Sequence, residues 1–353
     1  MNTARSVDGA LEVPLIDISA FPSGTPQSRR QVAEAVDRAA CDVGFMQIVG
    51  HGIPDSTLQR LIDAMDDFFA LPESRKIACT SADRSVNRGY TARETERLSY
   101  SLGVCSPDDL FEAFNIGTQV SDFPAVQLPS EHYPDNIWPD DATGRIRRGM
   151  SEWFAAAGDL AVTMTRVFAV ALGLDEDYFA DSQSHSMDIF RMNNYQLPRG
   201  DMTVEPGQLG MGAHTDYGIL TILWADAVRG LQILDQQGEW HDVIPAPGAL
   251  LINLGDLLAR WTNNRWTSTM HRVLAPIDEN GQMYRRRSAA YFHDGNFDAV
   301  ISVLPGCADV LSPVRYEPIT VADHLSQKLA GSRGLQLNQD AAEDASRLRQ
   351  AVG

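Results

Sequence analysis

The chain has 353 residues, 44% of them hydrophobic, enough for a sizeable core in one large β-rich domain or about two ordinary ones. Acidic residues outnumber basic ones 47 to 29, a formal net charge of −18, which makes nucleic acid and anionic membrane poor partners. The four cysteines, Cys41, Cys79, Cys105 and Cys307, form no C-x-x-C pair, and the opening MNTARSVDGALEVP has no apolar run. Zinc ribbon, dense disulfide framework and secretory leader are therefore not expected, and a cytoplasmic setting is.

In chain order, PLIDISAF (14–21) alternates apolar and polar and predicts a first strand. SRRQVAEAVDRAACDVG (28–44) predicts a helix with Val32, Ala35, Val36 and Ala39 on one face and Gly44 as its stop. FMQIVGHGIP returns to a strand and ends in a turn holding His51. DSTLQRLIDAMDDFFALP reads as an amphipathic helix, N-capped by Asp55 and stopped before Pro72. Residues 80–145 are rich in Pro, Ser, Asp and Gly and predict loops with short strands. Residues 144–174 carry the longest helical pattern, with Gly158 as its weak point; the apolar part, 161–174, contains Arg166 and is too short to cross a membrane.

After about residue 186, short β-rich runs recur: MDIFRMNNYQ, GILTILWA, GLQILD, EWHDVI, ALLINLG, HRVLAP, RRSAAYFH and AVISVL. Their spacing fits a β-sandwich or closed double sheet. TVADHLSQKLAG (320–331) predicts a helix, and 332–353 a mobile tail.

The chemistry starts at GAHTDYGILTIL (212–223), read as one buried strand. Residues i and i+2 of a strand share a side, so His214 and Asp216 would converge while Thr215 faces away. An imidazole and a carboxylate aimed together make half of a divalent-metal site. A second His would complete the two-His, one-carboxylate set of non-haem Fe(II) oxygenases. A hydrogen-bonded surface pair is the plainer alternative.

Of the other histidines, His132 and His185 fall in polar loops, His241 in a solvent-facing strand and His324 in the C-terminal helix. His293, near a strand end, is placed to line a pocket. His271 opens an apolar strand in TSTMHRVLAP and is the best third ligand. In YRRRSAAYF (284–292), Arg286 and Ser288 share a strand face, and a guanidinium beside a hydroxyl suits a carboxylate. Arg285 and Arg287 would then face solvent; the alternative makes all three arginines a solvated basic edge.

These residues, in this order, resemble the iron(II)/2-oxoglutarate-dependent dioxygenases of the isopenicillin-N-synthase-like branch, over about residues 12–330. PLIDISAF, GFMQIVGHGIP, RGYT (88–91), EAFNIG (112–117), LINLGDLLARWTNNRWTSTMHRV (251–273) and the R-x-S of RRSAAYF all have counterparts there. The resemblance implies a mainly β fold with flanking helices: a double-stranded β-helix, or jelly roll, with helices packed on one side. It divides the chain into an N-terminal region (12–125), a catalytic core (186–296), a C-terminal strand and helix (297–331) and the tail (332–353).

It further implies Fe(II) held by His214, Asp216 and His271, with 2-oxoglutarate and O2 as cosubstrates. Arg286 and Ser288 would take the distal carboxylate of 2-oxoglutarate. FRMNNYQLP (190–198) places Asn193 and Tyr195 near it, although Asn194 and Gln196 depart from the family's pattern there. Gly212, Asn253, Gly255, Asp256, Trp261 and Arg272 match motif positions that read as structural, several supporting His271. Arg88, Tyr90, Phe114, Phe292 and His293 are candidates to line the substrate pocket, each with packing or surface placement as the alternative. The expected activity is hydroxylation, desaturation or cyclisation of a small molecule, releasing succinate and CO2. An oxidase that grips its substrate at Arg286 without 2-oxoglutarate, a zinc hydrolase and a non-catalytic jelly-roll protein stay open as alternatives, and oligomeric state is not specified.

Overall fold

The hydrophobic period changes near residue 180, and the architecture changes with it. A computed structural model describes residues 11–83, 86–197, 204–277 and 282–334. The first part runs β1 (Leu15–Asp17), α1 (Ala20–Ser23), α2 (Pro26–Asp42), β2 (Phe45–Val49), α3 (Asp55–Phe69), α4 (Glu73–Ile77), β3 (Gly89–Thr91), β4 (Glu112–Gly117) and α5 (Arg145–Ala171). The second runs β5 (Ile189–Asn194), β6 (Met211–His214), β7 (Leu220–Ala225), β8 (Leu231–Leu234), β9 (Trp240–Asp242), β10 (Leu250–Leu254), α6 (Asp256–Trp261), β11 (His271–Val273), β12 (Arg287–His293), β13 (Val300–Ile301), β14 (Ile319–Thr320) and α7 (Val321–Gly334).

Local chemistry explains the helix ends. The Thr25 hydroxyl accepts from the Ser28 amide (3.2 Å), and Pro26 opens α2 where its missing N–H costs nothing. Gly44 ends α2 at φ +69°, and a Cβ there would meet the Thr267 carbonyl at 2.2 Å. Asp55 is the first residue of α3 rather than its cap, which is Pro54; a carboxylate in the first turn still favours the helix dipole. Gly158 does not interrupt α5. It makes room for the Tyr291 hydroxyl, 3.0 Å from where a Cβ would stand. The whole α5 helix, 27 residues, is long and apolar enough to cross a membrane by length and composition, unlike the shorter stretch singled out above. Here its Met150, Trp153, Leu160, Met164 and Phe168 are buried in the core shared with α2 and α3.

Two sheets form the jelly roll. One has the order β1-β2-β10-β7-β12-β5-β4-β3; the other has the order β6-β11-β8-β9. Alternation along the strands assigns each face. Ile222, Ile252, Met192 and Tyr291 join the helices in one core cluster. Phe45, Ala113 and Leu251 of the large sheet meet Met211, Ile233 and Val273 of the small one in a second cluster between the sheets. Both faces of the large sheet are thus covered, which is why its strands are apolar almost throughout.

The N-terminal region is tied to the core by a buried polar knot. Glu112 on β4 accepts from Lys76 Nζ (2.6 Å), Tyr90 OH (2.7 Å), Arg93 Nη2 (2.6 Å) and Asn194 Nδ2 (2.8 Å). Those donors hold its carboxyl below the usual range although burial acts the other way. The tail expected over 332–353 lies, from residue 335 on, outside the described residues.

Candidate active site

GAHTDYGILTIL is two strands, not one. β6 ends at His214, and β7 begins at Leu220 in the other sheet. Asp216 sits in the connection, so strand alternation is not what aims it at His214. His271, the first residue of β11, is the direct register partner of His214 on β6. The His271 Nε2 and the His214 Nε2 each lie 3.7 Å from Asp216 Oδ1. The imidazole rings are 4.3 Å apart. All three residues are buried, and one ligand atom from each lies within 4.8 Å of the others.

The surroundings fix which atoms face inward. His214 Nδ1 donates to the Gly212 carbonyl (2.7 Å) and His271 Nδ1 to the Thr269 carbonyl (3.1 Å). Each Nε2 is left as a lone-pair donor toward Asp216. Burial, with His271 beside it, pushes the His214 pKa down to about 4, so the ring is neutral and fit to ligate at neutral pH. Asp216 turns Oδ1 inward because Oδ2 is held by Thr221 Oγ1 and by Asn253 Nδ2 (2.6 Å). Asn253 therefore serves Asp216, not His271. Thr221 is an addition to the sequence reading; its signal was a hydroxyl inside the apolar run GILTIL. The pair of histidines and a carboxylate suits a divalent first-row metal such as iron.

The triad opens into a cavity of about 400 Å³ whose wall includes Asn193, Tyr195, Arg286 and Ser288. Arg286 is 1% exposed. Its guanidinium lies 4.9 Å from the Tyr195 ring centroid, and its Nε and Nη1 have no hydrogen-bond partner among the described residues. Gly230, at φ +142°, admits it: a Cβ there would stand 2.9 Å from Arg286 Cδ. Asn193 Nδ2 donates to Ser288 Oγ (3.3 Å), and the Tyr195 hydroxyl is 3.5 Å from the same atom. A buried cation with unmet donors, beside hydroxyls, fits an anion such as a ligand carboxylate.

The remaining candidates divide. Arg88 and Phe292 line the cavity, whereas Tyr90, Phe114 and His293 do not. Tyr90 is taken up by Glu112, and Phe114 packs 4.3 Å from Phe68 in the helical core. His293 faces away from the cavity. Its Nδ1 contacts Asp188 (3.0 Å) and its Nε2 contacts Gln183 (2.9 Å). Arg285 and Arg287 do not simply face water: both pair with Asp66 of α3, and Arg287 also with Asp226 (3.0 Å). His241, expected in solvent, is partly buried against Asp235 (2.8 Å).

Fold and site together define a jelly-roll, non-haem iron oxygenase. Residues 13–141 match the family described as non-haem dioxygenase in morphine synthesis N-terminal, and residues 188–295 match the 2OG-Fe(II) oxygenase superfamily. The chain belongs to the 2OG-Fe(II) oxygenases. It is 35% identical to the 2-oxoglutarate-Fe(II) type oxidoreductase hxnY of Emericella nidulans, over 88% of this chain and 87% of that one. It is 30% identical to the homoarginine-6-hydroxylase 2-ODD-233 of Oryza sativa subsp. japonica, over 90% of this chain and 96% of that one. The crystal structure of a full-length Neurospora crassa protein in complex with alpha-KG and thymine superposes with a TM-score of 0.80 at 29% identity, covering 93% of this chain and 99% of that one. The protein is thus a 2-oxoglutarate/Fe(II)-dependent dioxygenase that uses Fe(II), 2-oxoglutarate and O2. The oxidase, hydrolase and non-catalytic alternatives give way to it.

Proposed function

We propose that His214, Asp216 and His271 hold the Fe(II), that Arg286 and Ser288 hold the distal carboxylate of 2-oxoglutarate, and that the enzyme oxidises a small molecule seated in the same cavity. The observation that carries this is Arg286: a buried guanidinium with unmet donors, in one cavity with the triad. Bound iron with 2-oxoglutarate and O2 supplies the oxidant for an unactivated C–H bond. The chain's part is placement. Gly212 and Thr269 carbonyls keep the ring protons on Nδ1. Thr221 and Asn253 keep Asp216 turned inward. Tyr195 and Asn193 orient Ser288 and cover the Arg286 face, so the cosubstrate enters a preformed seat. Leu325 and Leu329 of α7 add apolar wall, which restricts water.

The relatives' names span a pyrimidine and an amino acid, so they support a small-molecule substrate without choosing one. A cytoplasmic setting belongs to the same proposal, supported by four unpaired cysteines. The test is anaerobic. Fe(II) and then 2-oxoglutarate are added to metal-free protein while the visible spectrum is recorded. A charge-transfer band that needs both supports the assignment. Iron binding without a band would send Arg286 to a different anion.

A further inference from the structure

The wall that carries Ser288 continues beyond it. Facing pairs on β12 and β5 run Ser288–Asn193, Ala290–Arg191 and Phe292–Ile189, and all six residues line the cavity. At about 3.4 Å per residue, Arg191 stands about 7 Å past the cosubstrate's end. That is where a substrate would lie alongside 2-oxoglutarate, so the inference rests on the assignment of Arg286 above.

Arg191 is 8% exposed. Its Nη2 donates to Glu96 Oε2 (2.7 Å), its Nε has no hydrogen-bond partner among the described residues, and the Phe111 ring lies 4.9 Å from its guanidinium. The single Nη2 bond is enough to tie Glu96 to β5. It leaves most of the five N–H donors of a guanidinium unused in a buried place, where unmet donors call for a partner. Glu96 also lines the cavity.

We propose that Arg191, with Glu96, is the substrate-positioning pair, and that the substrate is a small neutral molecule presenting a carbonyl and an adjacent N–H on one edge, as a cyclic amide does. The charge of Arg191 is already balanced by Glu96, so an anionic substrate would add an uncompensated buried charge. A neutral carbonyl accepts from the unused guanidinium edge without that cost. A carboxylate has several acceptor positions, so Glu96 takes the N–H while keeping Arg191. Phe292, one pair further along, offers a flat apolar surface to a ring. The third arginine of the wall, Arg88, is turned to the backbone carbonyls of Asn87 (2.9 Å) and Thr118 (2.8 Å). A cavity of about 400 Å³ shared with the cosubstrate favours a single ring.

The experiment uses the anaerobic Fe(II)·2-oxoglutarate enzyme and three probes: uracil, 1,3-dimethyluracil, which lacks the N–H, and orotate, which adds a carboxylate. Binding is read by calorimetry and by perturbation of the charge-transfer band. Uracil should bind and perturb the band, and the other two should bind at least tenfold more weakly. Arg191→Lys keeps the charge but loses the fork; it should weaken uracil at least tenfold and leave 2-oxoglutarate affinity unchanged. A role limited to tying Glu96 to β5 would leave probe preference unmoved. No response to uracil with the band present, tighter binding of orotate, or wild-type uracil affinity in Arg191→Lys would each overturn this proposal alone. Absence of the band in wild type would overturn the Arg286 assignment and this proposal with it.

Discussion

Replacing Arg286 with Met separates a structural arginine from a ligand-binding one. The guanidinium is 1% exposed, and its Nε and Nη1 have no partner among the described residues. A buried charge without a partner costs several kcal/mol, so an apolar side chain of similar length should leave stability unchanged or raise it. The cosubstrate carboxylate would gain two charge-assisted hydrogen bonds from the fork. At about 1.5 kcal/mol each, the loss is about 3 kcal/mol, roughly a hundredfold in affinity. Denaturation with and without 2-oxoglutarate reads both effects. At a cosubstrate concentration of roughly a hundred times the wild-type Kd, ligand adds about 2.7 kcal/mol to the wild type but only about 0.4 kcal/mol to Arg286→Met. Iron affinity, set by untouched ligands, should stay the same. A variant that loses about 2 kcal/mol or more when ligand-free, yet binds 2-oxoglutarate like the wild type, would refute the reasoning.

Asn253→Leu and Thr221→Val each remove one of the two hydrogen bonds that hold Asp216 Oδ2 and should weaken iron binding roughly tenfold to a hundredfold with the fold intact, checked by anaerobic iron titration; unchanged affinity would mean that Asp216 needs no such support. Glu112→Ala strands Lys76 in the core and should cost about 3–5 kcal/mol in urea unfolding, whereas an exposed pair would cost less than about 1 kcal/mol. Burial lowers the His324 pKa from 6.5 to about 4, so the unfolded chain takes up a proton that the folded one resists as pH falls through this window. The stability of wild type relative to His324→Asn should therefore fall by about 3 kcal/mol between pH 7 and pH 4 in metal-free protein; a difference independent of pH would place His324 in water.

Chemical type was legible wherever a residue is unusual for its run. His214, Asp216 and His271 interrupt apolar stretches, and Arg286 sits before Ala-Ala-Tyr-Phe. Strand alternation correctly paired Arg286 with Ser288 and turned Arg285 and Arg287 to the opposite side, because period 2 is a property of the backbone. It misread GAHTDYGILTIL, where the chain changes sheets between His214 and Leu220, because a turn built from Asp, Tyr and Gly beside Ile and Leu carries no strong break signal. Tyr90, Phe114 and His293, candidates by their place in motif regions, took the packing alternative, because a motif position does not say which face of its strand looks into the cavity.

The sequence by itself determined the period of each segment, the order of the motifs and the set of groups available for chemistry, since these are local and follow from side-chain type and backbone geometry. Only the tertiary structure decided which donors hold Asp216, that Arg191 and Glu96 meet across 95 residues, and that Gly230 clears the space Arg286 fills. These contacts join segments far apart in the chain, and no local pattern records which of the many polar side chains in an apolar run will find one another once two sheets close around a common cavity.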